Sequence, residues 1–215
     1  MNAAGATGVI LRTRPLTETS LIVQWLTAEI GRVATVAKGA RRPKSPFRGQ
    51  LDLFYLADFS FARSSRSELH TLWEVKVLET HPGLRRDLAS LRQISYCATL
   101  IEQTTETESP LTGLFGQFMG FLGEISRQPA QAQAIFAFEM KLLTELGLKP
   151  DMAEAKLTAG ARQVLERLGE LDWGGVFRLR LSAAQSEEIR QFLHGFLVYH
   201  LGRVPKGREA ALGGD

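Results

Sequence analysis

At His81-Pro82-Gly83 the hydrophobic period of this chain changes, and the change limits what either side can fold into. Upstream, apolar and polar residues alternate with the two-residue period of strands; downstream, Leu84, Leu88, Leu91, Ala98 and Ile101 recur at helical spacing. Residues 8–13 (GVILRT) read as a first strand, with Val9 and Leu11 on one face and Ile10 and Arg12 on the other. Residues 20–28 (SLIVQWLTA) and 31–37 (GRVATVA) follow as a β-branched hairpin across a short connection. Residues 51–62 give a fourth strand, with Phe59 and Phe61 on one face. Residues 68–79 give a fifth, in which Leu72, Glu74, Lys76 and Leu78 alternate with Trp73, Val75 and Val77. Five short antiparallel strands must close or be covered to hide their edges. The economical solution is a five-stranded Greek-key barrel, the oligonucleotide-binding (OB) fold; an open meander against the later helices competes with it.

The second part is all-helical. One helix runs over about residues 85–105, and a glycine-rich one over 111–125, its glycines permitting close packing. A third opens at Pro129, the position proline tolerates best, with Ile135, Phe138, Leu142, Leu143 and Leu146 as its buried stripe. A short fourth helix carries Ala161, Val164, Leu165 and Leu168. Ser182 with Gln185 is a capping box for a last helix whose stripe is Ile189, Phe192, Leu193, Phe196, Leu197 and Leu201. The expected architecture is α+β: an N-terminal OB barrel over residues 1–80 and an all-α domain over 81–215 ending in a basic tail.

Between Glu29 and Asp52 the chain carries no acidic residue but has Arg32, Lys38, Arg41, Arg42, Lys44 and Arg48. Its first half is the third strand. Its second half is a loop, since Gly39 permits a turn and Pro43 and Pro46 exclude helix and regular ladder. A basic loop leaving a strand suits a polyanion; a charge run also serves as a plain solvated face. A net charge of +3 is too small for an unfolded polybasic binder, so any polyanion site must come from clustering. Phe47, Phe59 and Phe61 are candidates for base stacking or for the core. A second cluster, Arg203, Lys206 and Arg208, either holds another strand or caps the final helix through its dipole.

Catalytic and metal chemistry find no support. Cys97 is the sole cysteine, which excludes an internal disulfide and a multi-cysteine zinc module, and its place in an amphipathic helix reads as packing. His70, His81, His194 and His200 have no metal-ligand spacing. There is no Walker A loop and no nucleophile elbow. No apolar run reaches membrane-spanning length, and the N-terminus lacks signal-peptide features, so a cytoplasmic protein without cofactor and without enzymatic activity is expected.

Three stretches together resemble one family, the RecO recombination mediators of bacteria. They are Arg14-Pro-Leu-Thr-Glu-Thr-Ser-Leu21; Gly31-Arg-Val followed by Val36-Ala-Lys-Gly-Ala-Arg-Arg42; and Tyr199-His-Leu-Gly-Arg203 with Lys206 and Arg208. Phe138-Glu139, Leu142-Leu143 and Leu146-Gly147 are similar to the family's central helix. The resemblance implies binding of single- and double-stranded DNA, strand annealing, engagement of the single-strand-binding protein through its C-terminal tail and, with RecR, loading of RecA. It implies a bacterial cytoplasmic protein, nucleoid-associated during repair. The DNA-contacting candidates are Arg14, Arg32, Lys38, Arg41, Arg42, Lys44, Arg48, Arg203, Lys206 and Arg208; Tyr96 and Lys141 are candidates for the protein-partner pocket. One departure matters: many members carry a four-cysteine zinc module after the central helix, where this chain runs from Leu148-Lys-Pro-Asp151 straight to Leu157. Zinc is therefore not carried over. Two other classes remain to be weighed: a scaffold that docks an acidic protein on the basic barrel, and an RNA-binding OB protein.

Overall fold

The computed structural model describes residues 3–213. Its first strand, β1 (Ala3–Pro15), is twice the length of its sequence signal because it serves two neighbours. Its N-terminal half pairs antiparallel with β4 (Leu56–Ala62), and its C-terminal half pairs antiparallel with β2 (Leu21–Thr27). A register shift between Ile10 and Arg12 breaks the simple alternation, so that Val9, Ile10 and Leu11 are all buried. β2 forms the expected hairpin with β3 (Gly31–Ala37). β3 pairs in parallel with β5 (Leu69–Glu79) over Ala34–Val36, and β5 returns antiparallel to β4. The order β1-β2-β3-β5-β4 closes, which removes the open-meander reading and leaves no free edge.

The barrel core is an aromatic stack. Trp25 lies 4.1 Å from Phe59, which continues to Phe61 and then His70, while the Trp25 indole N–H donates to Thr35 Oγ1 at 2.9 Å. Such rings bury large apolar areas in few residues, as an 80-residue barrel requires. Two strand expectations are corrected here. Residues 51–55 form turns rather than strand, with Phe54 at φ 65° and its N–H donating to the Ile10 carbonyl at 2.8 Å. In β5 a bulge at Trp73 sets Ser60 opposite Glu74 but Phe61 opposite Leu72. The strand's parity flips there, so Leu72 and Val75 both reach the core and Trp73 is left 43% exposed.

The barrel unit runs to His81 and includes a later piece, Thr105–Phe115. That piece is held by β3: Glu108 N–H donates to the Arg32 carbonyl, and Gly31, at φ 80°, has no room for a side chain against the Ser109 carbonyl. The helical unit comprises Pro82–Thr104 and the chain from Gly116 onward. It begins with a 3-10 turn, Pro82–Arg86, and α1 (Leu88–Thr104), capped by Asp87. α2 (Thr112–Ile125) crosses from one unit into the other. In its second half Gly120 lies so close to Trp173 that an added Cβ would sit 2.6 Å from the indole, whereas Gly116 and Gly123 have open space, so the expected close packing is made at Gly120 and not at those two. α3 (Ala132–Glu145) has Gln131 as its N-cap and so starts after Pro129 rather than at it. It is buried on every face from Gln133 to Leu143, more than the expected stripe, because it packs against α1, α4 (Ala159–Glu170), α5 (Trp173–Arg178) and α6 (Ala183–Leu201). The Ser182–Gln185 capping box forms as the sequence indicates, and α6 buries Ile189, Leu193 and Leu197. α5 and a final short helix, α7 (Arg208–Ala211), had no clear sequence signal.

Candidate nucleic-acid interface

The loop after β3 is a chain of turns rather than an open tether. The N–H groups of Ala40, Arg42, Ser45, Arg48 and Gln50 each donate three residues back, and Gly39 and Gly49 supply the positive φ angles. Phe47 anchors the loop by burying its ring in the barrel core with Leu51 and Tyr55 packed alongside, so it is a core residue like Phe59 and Phe61 and not a stacking surface. The anchor leaves the loop's charges outside: Lys38, Arg41, Arg42, Lys44 and Arg48 are all exposed.

Arg41 joins this loop to the turn between β1 and β2. Its backbone N–H donates to the Thr19 carbonyl at 3.0 Å and its guanidinium to the Thr17 carbonyl at 3.1 Å. That turn is closed by Thr17 Oγ1, which accepts from the N–H groups of Thr19 and Ser20. The same turn follows exposed Arg14 at the end of β1. Two loops are therefore tied together, with five basic side chains of one and Arg14 of the other around them. Arg14, Lys38, Arg42, Lys44 and Arg48 have no side-chain hydrogen bond or ion pair among the described residues, so their donors face solvent. Arg41, Arg42 and Arg48 line a concavity of about 500 Å³ backed by Tyr55, where they outnumber its one carboxylate, Asp52. A larger hollow of about 830 Å³ lies over β1, β4 and β5, but Glu29, Asp58 and Glu74 outnumber Lys76 there, which disfavours a phosphate chain.

The other predicted site residues are placed differently. Arg32 is half-buried and turned away from the loop, its Nε donating to Thr105 Oγ1 at 2.8 Å and its Nη2 to the Thr105 carbonyl at 2.5 Å; it pins the later piece of the barrel unit. Arg203 and Lys206 are exposed just past α6. Arg208 is not part of a basic tail. It is 2% exposed and holds the fully buried Glu139 in a two-point pair, Nε to Oε1 at 2.8 Å and Nη2 to Oε2 at 2.9 Å. Burial alone would lower its pKa, but the hydrogen bonds and charge of Glu139 outweigh that and raise it.

Tyr96 and Lys141 are likewise interior, which corrects both as partner contacts. The Tyr96 hydroxyl donates to Glu139 Oε1 at 2.6 Å, and burial followed by the Glu139 charge pushes its phenol well above the usual value. Lys141 is 7% exposed and donates to the carbonyls of Gly169 and Leu171 at 3.0 and 2.7 Å, closing the end of α4; burial lowers its pKa and the Asp172 charge opposes this. Thr17 and Thr19 position the arginine loop through their carbonyls; they lie in the Arg14–Leu21 stretch that resembles the family's turn but are not among the site candidates, since an accepting backbone carbonyl leaves no mark in a sequence. Among the described residues no cluster of His, Cys, Asp and Glu is placed to hold a metal, and no helix is long and apolar enough to cross a membrane.

A closed barrel of this strand order, with a cationic loop leaving β3 and tied to the turn before β2, defines a protein of the oligonucleotide-binding fold. Residues 1–81 match the family described as Recombination protein O N terminal, and residues 85–155 match Recombination protein O C terminal. The chain is 30% identical over 237 aligned residues to the DNA repair protein RecO of Anaeromyxobacter dehalogenans (strain 2CP-C), covering 94% of this chain and 93% of that one. It is 34% identical over 142 residues to the RecO of Rhodopirellula baltica (66% and 53% covered), and 30% identical over 145 residues to that of Bacillus subtilis (strain 168), with 67% and 56% covered. The chain belongs to the RecO family.

Proposed function

We propose that this protein is a non-enzymatic DNA repair and recombination mediator of the bacterial cytoplasm. It binds single- and double-stranded DNA through the two tied loops of its barrel, anneals complementary strands and, with RecR, helps load RecA onto strands coated by the single-strand-binding protein. The carrying observation is the exposed set Lys38, Arg42, Lys44 and Arg48, on a stretch with no acid from Ile30 to Leu51, tied through Arg41 to the turn that follows exposed Arg14. Such side chains contact phosphates, not base edges, which suits a sequence-tolerant annealer. The protein-partner steps rest on family membership alone, because Tyr96 and Lys141 are buried.

Binding of single-stranded oligonucleotide over a salt series tests the reading. Five loop contacts, from Lys38, Arg41, Arg42, Lys44 and Arg48, give a log–log slope of about −3.5, at about −0.7 per phosphate. Arg42→Glu with Arg48→Glu leaves the Arg41 tie in place and is expected to reduce the slope to about −2 and to abolish annealing, with the fold unchanged by circular dichroism. A salt-independent or absent shift with wild-type protein would favour the protein scaffold instead. Preference for RNA over DNA of equal length would favour the RNA-binding reading.

A further inference from the structure

The stripe of α6 stops being buried before the helix ends. Leu197 is its last buried residue, and the final turn emerges with Val198 40% and Tyr199 84% exposed and His200 exposed beside them. An aromatic ladder runs up to this turn. Phe192 and Phe196 have centroids 5.9 Å apart, Phe196 and His200 lie 4.3 Å apart, and Tyr199 stands edge-on to His200 at 4.9 Å. Tyr199 is the most exposed large apolar side chain among the described residues, and it is not isolated but continues a row of rings.

The charges along the ladder have a direction. Its first two rings, Phe192 and Phe196, border a groove with Asp151, Glu154 and Glu188 against Lys156. Its C-terminal end lies on a run without acids: from Ile189 to Arg208 the sequence carries no carboxylate, and the next one, Glu209, is paired with Arg190 at 2.8 Å. Beyond the left-handed cap Gly202, Arg203 and Lys206 are exposed, the next two cations in the chain after Tyr199. Exposed π-faces next to unopposed cations are what a single strand requires, because every base offers a ring to stack and every linkage a phosphate. A duplex hides its base faces, so the rings favour a single strand over a double one.

We propose that the last turn of α6 is a base-stacking platform for single-stranded nucleic acid, with bases on Tyr199 and His200 and the backbone on Arg203 and Lys206. The inference rests on the DNA-binding reading above and extends it with a second strand contact, on the helical unit, that reads the presence of bases.

The test compares the full-length protein on two strands of equal length and charge, one a homopyrimidine and one abasic. Wild type is expected to prefer the strand with bases. Tyr199→Ala should lose about five- to hundredfold on that strand, the range of one lost stacking contact, with no change on the abasic strand, in the salt slope, or in the melting temperature. Tyr199→Phe should retain the preference, whereas Arg203→Ala should weaken both strands and reduce the slope by about 0.7. If Tyr199→Ala binds the base-bearing strand as wild type does, while Arg42→Glu with Arg48→Glu still loses binding, the platform is overturned and the loop reading stands. If wild type binds neither strand, both are overturned.

Discussion

Two arginines separated by five residues, Arg203 and Arg208, have opposite fates, and the reason lies in a single carboxylate. Glu139 is buried in the middle of α3 with none of its surface exposed, and it is neutralised by the Arg208 guanidinium and hydrogen-bonded by Tyr96. Removing one partner of such a pair strands the other charge in the interior, which costs far more than the pair contributes. Glu139→Gln is therefore expected to lower stability by about 3–5 kcal/mol in urea unfolding. Tyr96→Phe should lower it by only about 1 kcal/mol, because Arg208 still satisfies the same oxygen. Equal losses from the two variants would mean that the hydroxyl, not the charge, holds the site together.

At the scale of elements, the barrel depends on contacts made where its strands begin and end. β3 starts at Gly31, whose φ of 80° already penalises any side chain, and a Cβ there would sit 1.9 Å from the Ser109 carbonyl. Gly49, in the basic loop, has a similar φ of 74° but open space around it. Gly31→Ala should cost at least about 2 kcal/mol and Gly49→Ala about 1 kcal/mol, the penalty of the left-handed region alone. The difference, read from denaturant midpoints, isolates the grip of β3 on the 105–115 piece. Sequence periodicity located β2, β3 and α6 well because their side-chain patterns are continuous over whole elements. It misplaced the start of β4 and the parity of β5, because a buried turn at Phe54 and a bulge at Trp73 imitate regular alternation until the partner strand is in view.

At the scale of the molecule, the sharp period change at residue 81 is not where the barrel's contacts end. Arg32 reaches Thr105, His70 and Arg63 both engage Glu108, and Thr107 binds Glu68. Each group belongs to the barrel unit, although the first helix lies between them in the chain. A fragment ending at residue 81 is expected to unfold at lower denaturant than the barrel does in the whole chain, by at least about 2 kcal/mol, the value of one charge-assisted hydrogen bond. Hydrogen exchange of the β3 amides in fragment and full chain measures the difference; equal protection would show that the later piece is a passenger.

What the sequence determined by itself is everything whose cause lies within a few residues: the two-residue period of the strands, the Ser182 cap, the turn glycines and the density of cations from Arg32 to Arg48. Those causes act along the chain, so a linear reading recovers them, and with them the barrel-then-helices order and the basic loop. What only the tertiary structure decided is which cations are available. Arg32 is spent on a residue 73 positions away and Arg208 on one 69 positions away, while Arg41 is divided between its own loop and a turn 24 positions back. A charge looks the same in a sequence whether it faces solvent or a buried carboxylate. The choice is made by desolvation, which exists only once distant segments have closed around the side chain.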